Sequence, residues 1–442
     1  MSPDQIAAII MMGILLVMVI CGVHLAFALM FLSVVFGLIY EGWVVFPMAM
    51  LNFFGTMQSE ILIAVPLFVF MGTILEKSEV AEGVYQSLYE LFGPVRGGLA
   101  FATVITCTIF ASCTGVIAAT VTTMTLLAVP AMLKRKYDKG LATGVVCAGG
   151  SLGILIPPSV MLVMYGPMAN LSVAQLFAAA LFPGLVLSVL YLLYIGLASW
   201  VKPNMAPAIT EDERKLKGLK LWGKAALHML PSLLLIIAVL GSIIGGVASP
   251  TEASGVGALC ALIIALAYRK LTYQSIKGAA YTTLIVTTMV FFIIIGAGIF
   301  NSVFMFLGGG ALIKSMLMSL PFGKWFVMFV MMFILFIMGF FISWQGLLYV
   351  VVPIFLPVAA NLGFNPLWFG LLICLNLQMS FLTPPFAYAI FFVKGASPPE
   401  ISTWDIYRGV IPFVILQAVA VFLCIVFPEI ILWLPRVTLG GG

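Results

Sequence analysis

The chain has 442 residues, of which 63% are hydrophobic and 8% are charged, with a formal net charge of +5. Ordinary soluble domains carry about 25% charged residues, so this composition excludes a soluble fold and gives no reason to expect a nucleic-acid partner. Strand-like alternation is absent, which excludes a β-barrel and predicts an all-α polytopic membrane protein of about ten to twelve membrane segments.

Residues 1–96 are predicted to form the scaffold helices of a first half, followed by a connector. Residues 6–23 come directly after Met1-Ser-Pro-Asp-Gln5 without a basic region, so we expect a retained first span and not a cleaved signal peptide. The segment from Glu76 to Glu90 mixes charged and aromatic residues, which predicts an amphipathic connector at the membrane surface.

Residues 97–200 are predicted to hold the first transport elements, a hairpin and a broken helix. Residues 97–133 contain no charged residue, and their centre, Ala111-Ser-Cys-Thr-Gly115, is small and polar, which predicts the tip of a re-entrant hairpin. Further on, Gly149-Gly-Ser-Leu-Gly153 runs into Pro157-Pro-Ser159. A double proline removes two backbone donors, and a membrane tolerates such a break only where it is buried in protein or lines a polar cavity.

The middle of the chain is a basic loop. Lys202 to Lys224 holds six basic and three acidic residues, which predicts a cytoplasmic linker over residues 201–224. Residues 225–295 are predicted to be the scaffold helices of a second half. Within them, Ser249-Pro-Thr-Glu252 is a capping box with proline at the first helical position, so we expect a structural and not a catalytic role for Glu252.

The second half is predicted to contain a second hairpin and a second broken helix within residues 296–400. The expected hairpin tip is Ile342-Ser-Trp-Gln-Gly346, and the expected break lies where Asn376-Leu-Gln-Met-Ser380 runs into Thr383-Pro-Pro385. Residues 401–442 are predicted to form a C-terminal helix and tail.

Three features recur in the same order in both halves. The pairs are Phe68-Val-Phe-Met-Gly72 with Phe304-Met-Phe-Leu-Gly308, Gly115 with Gly346, and Pro157 with Pro384. The recurrence predicts an internal repeat whose two halves share a binding site near the middle of the bilayer.

The predicted tips and breaks offer two kinds of ligand group. Helix N-termini there can hold a carboxylate, while unwound carbonyls and the hydroxyls of Ser112, Thr114 and Thr383 can replace the hydration shell of a small cation. The sequence has no phosphate-cradling loop and no Cys-His cluster at metal-ligand spacing, which argues against an ATPase or a metalloenzyme. An ion gradient is therefore the expected energy source.

Other interpretations stay open at this point. Glycine and serine are common where membrane helices pack, so Gly149, Gly150 and Ser151 can serve close packing alone. The paired arrangement favours a functional role, because packing requires neither two prolines nor a second copy. A channel or an ion antiporter also uses broken helices, whereas two halves around one closed site favour a carrier. A scaffold without transport activity leaves the paired breaks unexplained.

Three motifs are similar to those of a known family. They are Ala148-Gly-Gly-Ser-Leu-Gly-Ile-Leu-Ile-Pro-Pro-Ser159, Gly246-Val-Ala-Ser-Pro-Thr-Glu-Ala253 and Gln378-Met-Ser-Phe-Leu-Thr-Pro-Pro-Phe386. Through these motifs the sequence resembles the large membrane subunit of tripartite ATP-independent periplasmic (TRAP) transporters, and the resemblance spans nearly the whole chain. The segment from Pro130 to Gly144 looks most like the mannitol/chloroaromatic branch, a label that is a poor guide to the solute.

The resemblance implies a sodium-driven uptake system in a bacterial inner membrane, with an elevator mechanism and no enzymatic activity. It implies a periplasmic substrate-binding protein that delivers a carboxylate solute, and a small four-helix membrane subunit. That subunit is expected to be a separate chain, because motifs of the large subunit directly follow the first span. No cofactor is implied other than Na⁺ as the coupling ion.

Candidate site residues lie at the tips and breaks. By position in the family's motifs, the resemblance implies a sodium-binding set of Thr114, Gly115, Ile117, Gly346, Thr383, Pro384 and Phe386. The residues predicted to bind substrate are Ser112, Gly149, Gly150, Ser151, Pro157, Ser343, Asn376 and Ser380. The first tip, Thr114-Gly-Val-Ile117, departs from the Ser-Gly-Ser-Ser of many members. Any sodium ligand at Val116 or Ile117 must therefore be a backbone carbonyl.

Overall fold

A computed structural model describes residues 2–115, 117–208, 219–384 and 387–440, and their regular secondary structure is helical throughout, as predicted. The α-helices, in chain order, are α1 (Pro3–Ile20), α2 (Leu25–Tyr40), α3 (Val45–Met57), α4 (Ala64–Lys77), α5 (Val80–Phe92), α6 (Gly98–Thr114), α7 (Ile117–Lys134), α8 (Lys139–Ser151), α9 (Val160–Ala169), α10 (Val173–Val201), α11 (Leu219–Ile244), α12 (Pro250–Ala267), α13 (Tyr273–Phe306), α14 (Gly309–Met318), α15 (Gly323–Met338), α16 (Trp344–Asn361), α17 (Pro366–Ser380), α18 (Tyr388–Ala396), α19 (Thr403–Val426) and α20 (Glu429–Leu439).

The membrane segments are of two kinds, helices that can cross in one piece and shorter apolar helices. Within the described residues, eight helices are long and apolar enough to span, or nine if the pair Gly42–Met57 and Glu60–Lys77, bent by 58°, is one span. The other apolar helices have only 10–17 residues, short of the roughly 20 that a crossing requires. Apolar length alone cannot separate a span from one arm of a hairpin or one half of a broken helix.

One end of the helix bundle collects basic residues and is assigned to the cytoplasm. Lys224 pairs with Glu90 at 2.9 Å, and the Asp138 amide donates to the Met205 carbonyl at 2.9 Å. Lys139 Nζ donates to the Glu400 carbonyl at 2.7 Å, so the loop before α19 lies at the same end. Because basic loops stay in the cytoplasm, this end faces inward, and the predicted orientation of the linker fits it. Linker residues 209–218 lie outside the described residues.

The two hairpins enter the bundle from opposite ends. The first, α6 and α7, starts at the cytoplasmic end, where the Gly97 amide donates to the Ala206 carbonyl at 3.0 Å. The second, α15 and α16, has its ends beside the start of α17, where Trp325 packs edge-to-face against Phe364. Trp368 in α17 donates to the carbonyl of Cys424 at the far end of α19, a helix about 36 Å long. The repeat is therefore inverted.

Both predicted breaks are present. The first separates α8 from α9 and holds a short 3₁₀ turn, Leu152–Ile154, before the two prolines. The second separates α17 from α18, and within it Pro385 and Phe386 lie outside the described residues. Each break leaves one half-helix pointing to each side of the membrane.

The register of the predicted repeat is wrong in one place. Gly72 lies inside α4, whereas Gly308 is a left-handed residue that precedes α14. The equivalent left-handed residue of the first half is Glu79, which precedes the connector α5. The structural repeat therefore pairs Glu79 with Gly308, about two helical turns away from the motif match. A five-residue apolar motif recurs too easily in a chain this apolar to fix a register.

The connector and the capping box form as predicted. Helix α5 buries an apolar face that includes Val80, Ala81 and Val84, and it exposes Glu79 and Glu82. At the start of α12 the Ser249 hydroxyl accepts from the Glu252 amide at 3.2 Å, and Glu252 accepts from the Ser249 amide at 2.8 Å. Glu252 thus has the structural role that the sequence indicates.

Candidate functional site at the hairpin tips

A cavity of about 180 Å³ lies where the two hairpins and the two broken helices approach scaffold helices α4 and α13. Four of its lining residues are the first residues of helices: Ile117 of α7, Val160 of α9, Trp344 of α16 and Tyr388 of α18. The rest of the lining is Val69, Gly115, Ala118, Ile154, Val286, Met289, Val290, Gln345 and Phe392. The paired elements therefore do converge on one central space.

The electrostatics of this cavity come from helix ends, because none of the described residues that line it is charged. Each helix N-terminus carries about half a positive charge, so four of them make the cavity attractive to an anion. Helix α6 ends at the same place, and the 3₁₀ turn ends with Ile154 in the lining. Carbonyls at these ends carry the opposite partial charge and suit a cation.

A second cavity, of about 300 Å³, adjoins the first and shares Val69, Ala118 and Val286 with it. It is lined by Thr114 at the first tip and by Glu76 and Lys77 at the cytoplasmic end of α4. The central cavity is thereby extended toward the cytoplasmic end of the bundle.

The first hairpin tip packs against both the first break and the scaffold. Gly115 has a φ of 60°, and a Cβ placed on it would lie 3.0 Å from the Pro158 carbonyl oxygen. Thr114 and Thr120 hydroxyls lie 2.8 Å apart. On the scaffold side, a Cβ on Gly72 would lie 2.6 Å from the carbonyl oxygen of Thr114. The predicted tip is confirmed here.

The second hairpin tip is built differently. Its turn covers residues 339–343, and Gly346 lies in the first turn of α16 with its Cα facing Leu25 of α2. Gly346 therefore allows close packing and does not supply the positive φ that its pairing with Gly115 implies. Ser343 precedes α16, and its buried hydroxyl has no hydrogen-bond partner within the described part of the chain.

Two predicted cation ligands have hydroxyls with free lone pairs. Ser112 Oγ donates to the Thr108 carbonyl at 3.0 Å, and Thr383 Oγ1 donates to the Met379 carbonyl at 2.9 Å. Because each proton is directed back along its own helix, the oxygen lone pairs stay available to a cation. Pro384 is exposed beside Thr383, while Phe386 and Val116 lie outside the described residues.

Gly149, Gly150 and Ser151 pack between helices in this structure. A Cβ on Gly149 would lie 2.9 Å from Cys107, and Gly150 faces Val121, so both glycines let α8 approach the first hairpin. Ser151 Oγ accepts from Gln378 Nε2 at 3.2 Å and has no exposed surface. Their role in substrate binding stays a prediction.

The remaining predicted substrate residues are buried beside the breaks. Asn376 Nδ2 donates to the Met332 carbonyl at 2.6 Å, and Ser380 Oγ donates to the Leu377 carbonyl at 2.6 Å. Pro157 is buried within the first break. Of all predicted site residues, Gly115 and Ile117 line the central cavity and Thr114 lines the adjoining one.

Several lining residues were not selected from the sequence. Gln345, which is 7% exposed, belongs to the tip motif Ile342–Gly346. A polar side chain within an apolar run is a signal by which the sequence could identify it as a lining residue. Tyr388 follows the second proline pair by three residues. Val286 and Met289 of α13 carry no signal, since they are apolar residues in a long apolar span.

The family described as "Tripartite ATP-independent periplasmic transporter, DctM component" matches residues 12–430. The chain belongs to this DctM family. As a DctM protein it is the large permease subunit of a TRAP transporter, located with many spans in a bacterial inner membrane. Membership also implies a periplasmic binding protein and a small membrane subunit as partners.

Curated relatives of this DctM chain cover nearly all of it. It is 29% identical over 446 residues to the C4-dicarboxylate TRAP transporter large permease protein DctM of Vibrio cholerae, covering 96% of both chains. It is 31% identical over 378 residues to the ectoine/5-hydroxyectoine large permease protein UehC of Ruegeria pomeroyi, covering 84% of this chain and 85% of the relative.

The fold is also found in a solved transporter. The crystal structure of the Alcanivorax borkumensis YdaH transporter, which has an unusual topology, matches with a TM-score of 0.62 and 13% identity. The match covers 91% of this chain and 97% of YdaH. At this identity it supports the arrangement of the helices only.

Proposed function

We propose that this DctM subunit carries out sodium-coupled uptake of a carboxylate solute that a periplasmic binding protein delivers. The observation that carries the proposal is the central cavity, on which four helices begin. A carboxylate placed there accepts from the free backbone amides of these first turns. Ser343, whose hydroxyl is buried and unpartnered among the described residues, adds a donor at the start of α16.

Sodium is proposed to bind next to the carboxylate, at the end of α6 and beside Thr383. Among the described residues, the lining of the cavity contributes no charged side chain, so a lone carboxylate would leave water without a formal counterion. A cation about 4 Å away would offset this by roughly 4 kcal/mol at an effective dielectric constant of 20. Binding of the ion and the solute would then be coupled, as sodium-driven uptake requires.

The structure is proposed to be the inward-facing state of an elevator. The adjoining cavity extends from the first tip to Glu76 and Lys77 at the cytoplasmic end, which favours release to that side. In the proposal, the hairpins and broken helices move together past α4 and α13 to reach the periplasmic side.

Proteoliposome uptake tests the proposal. The large and small subunits are reconstituted, and uptake of labelled C4-dicarboxylates and sialic acid is measured with and without a sodium gradient and the cognate binding protein. We expect uptake only with both. Full-rate uptake of free carboxylate without the binding protein would contradict the proposal and favour a simple symporter, and exchange of ions without any solute would favour an antiporter.

Ser343→Ala sharpens the test at the proposed carboxylate site. Loss of its hydroxyl should raise the solute concentration that gives half-maximal uptake about 10- to 150-fold, since one hydrogen bond to a charged group is worth about 1.5–3 kcal/mol. Ser319→Ala is the control, because Ser319 Oγ donates to the Met316 carbonyl at an exposed site that does not line the cavity. Equal behaviour of the two variants would count against a solute at this helix start.

A further inference from the structure

An apolar groove of about 450 Å³ runs between scaffold helices α11 and α12 on the outside of the bundle. Its walls include Leu234, Ala238 and Cys260, and its polar surface is almost nil. The groove ends at Tyr268, the residue that follows α12 at the cytoplasmic end. Helices α11 and α12 are only 28% and 33% buried along their spans, so the rest of this chain leaves the face uncovered.

A polar pocket of about 390 Å³ continues from the same tyrosine. Tyr268 also lines this pocket, together with His228, Glu82, Lys224 and Lys270. Lys270 pairs with Glu79, which directly precedes connector α5, and Lys224 pairs with Glu90 within α5. An ammonium has three donors, so each lysine can still bind a phosphate oxygen while it keeps its carboxylate partner.

The depth of the groove corresponds to one leaflet. From Leu230 to Ala238, the groove-lining part of α11, the helix rises by about 12 Å, and His228 in the polar pocket lies about 3 Å further toward the cytoplasmic end, at 1.5 Å per residue. Half of the roughly 30 Å hydrocarbon core is about 15 Å thick. An apolar groove of this length with a polar pocket at its cytoplasmic end has the dimensions of a single phospholipid of the inner leaflet.

We propose that the groove and the pocket together form a specific site for phosphatidylethanolamine. The pocket is lined by two carboxylates, Glu79 and Glu82, and two ammonium groups, Lys224 and Lys270, and Glu90 pairs with Lys224 from outside the lining, so these charges leave no net positive charge for an anionic headgroup. A zwitterionic headgroup fits groups of both signs: its phosphate lies toward the lysines and His228, and its ammonium donates to the carboxylates. Choline has the same charge but no N–H donors, and an anionic headgroup brings no cation for the two carboxylates.

The site joins three parts of the protein. The bound headgroup contacts the connector α5 through Glu79 and Glu82, and the acyl chain lies on α11 and α12. Because α5 leads into the first hairpin at Gly97, the lipid holds the static scaffold against the segment from which the hairpin begins. Lipid composition is therefore expected to act on transport through this connector.

Native mass spectrometry of the purified complex of large and small subunits tests the site. The complex is titrated with palmitoyl-oleoyl phosphatidylethanolamine, phosphatidylcholine or phosphatidylglycerol of identical acyl chains. We expect one phosphatidylethanolamine per large subunit to bind at least tenfold more tightly than either other lipid. Equal affinity for the three lipids would overturn the proposal.

Two matched pairs of variants locate the binding. Cys260→Trp fills the groove, whereas Leu259→Trp places the same side chain on the neighbouring position, which is 58% exposed and outside the groove. Lys270→Ala removes a headgroup ligand, whereas Lys277→Ala removes an exposed lysine of the same end that does not line the pocket. The first member of each pair should weaken phosphatidylethanolamine binding about tenfold or more, and the second should not.

The lysine pair keeps the proposal falsifiable if Cys260→Trp does not fold. Unchanged lipid affinity in Lys270→Ala, in a complex that elutes as a single species, would overturn the headgroup assignment. If Cys260→Trp releases the small subunit and leaves the tight lipid bound, the groove is a subunit interface and the lipid proposal is wrong.

Discussion

Gly72 lies where scaffold helix α4 closely contacts the first hairpin, and its substitution tests the proposed movement. A Cβ on Gly72 would lie 2.6 Å from the carbonyl oxygen and 2.7 Å from the Cα of Thr114. Both are backbone atoms, so no side-chain rotation relieves the contact. Gly72→Ala must push α4 and the tip apart by close to 1 Å, and overpacking of this kind costs about 1–3 kcal/mol.

Gly255→Ala is the matched control for this experiment. Gly255 lies in scaffold helix α12 with nothing within 4 Å of a Cβ, so its substitution only gains helix propensity, about 1 kcal/mol. The same gain applies to Gly72→Ala, and the difference between the two variants isolates the contact with Thr114. A difference of about 1–3 kcal/mol corresponds to a 5- to 150-fold change in the population of the arrangement seen here.

The assay is sodium-driven uptake in proteoliposomes together with thermal unfolding of the purified complex. Gly72→Ala should slow uptake severalfold or more, while Gly255→Ala should transport normally and unfold at an equal or higher temperature. If Gly72→Ala matches Gly255→Ala in both measurements, the tip does not rest against α4 in a state that the transport cycle visits.

Three further substitutions test the site and the fold. Thr383→Ala should raise the sodium concentration for half-maximal uptake at unchanged expression. The control is Thr438→Ala, which removes the same kind of bond to Leu434 at an exposed site and should leave the sodium dependence unchanged. Unaltered sodium dependence in both variants would exclude Thr383 as a ligand. Gly115→Val should abolish uptake, because a left-handed β-branched residue is strained and its Cβ would lie 3.0 Å from the Pro158 carbonyl oxygen; an active variant would contradict the tip geometry. Asn365→Ala should destabilise the complex by about 1 kcal/mol in thermal unfolding, since Asn365 Oδ1 caps α17 by accepting from the amides of Leu367 and Trp368. The control Asn361→Ala should leave the stability of the complex unchanged.

The sequence predicted the elements that interrupt helices better than the elements that form them. Proline pairs and left-handed glycines act locally, so the breaks at Pro157 and Thr383 and the tip at Gly115 could be placed to the residue. The number of uninterrupted spans could not be predicted, because an apolar segment of 16 residues, such as α15, has the same composition whether it crosses the membrane or turns back. That choice depends on the neighbours of the helix.

Contacts between the halves could not be predicted either. The sequence predicts that Gly346 turns the second tip, yet Gly346 lies in the first turn of α16, where Leu25, far away in sequence, packs against it. Gly149 and Gly150 were expected at the site, and their space is taken by Cys107 and Val121 of the first hairpin. A glycine in the sequence indicates that a neighbouring group approaches the backbone closely. It does not show whether that neighbour is a ligand or another helix.

The two tips are not equivalent, and the difference suggests how one cavity can serve two ions. The first tip turns at Gly115, so the end of α6 and the start of α7 reach the same point and offer carbonyls as well as amides. At the second tip only the start of α16, with Trp344 and Gln345, reaches the cavity, while the preceding turn packs through Gly339 against Ser380. Positive partial charge is therefore uncompensated at the second tip alone. We expect the carboxylate there and the cation toward the first tip, so changes at Ser343 should act on solute affinity and changes at Thr114 on sodium affinity.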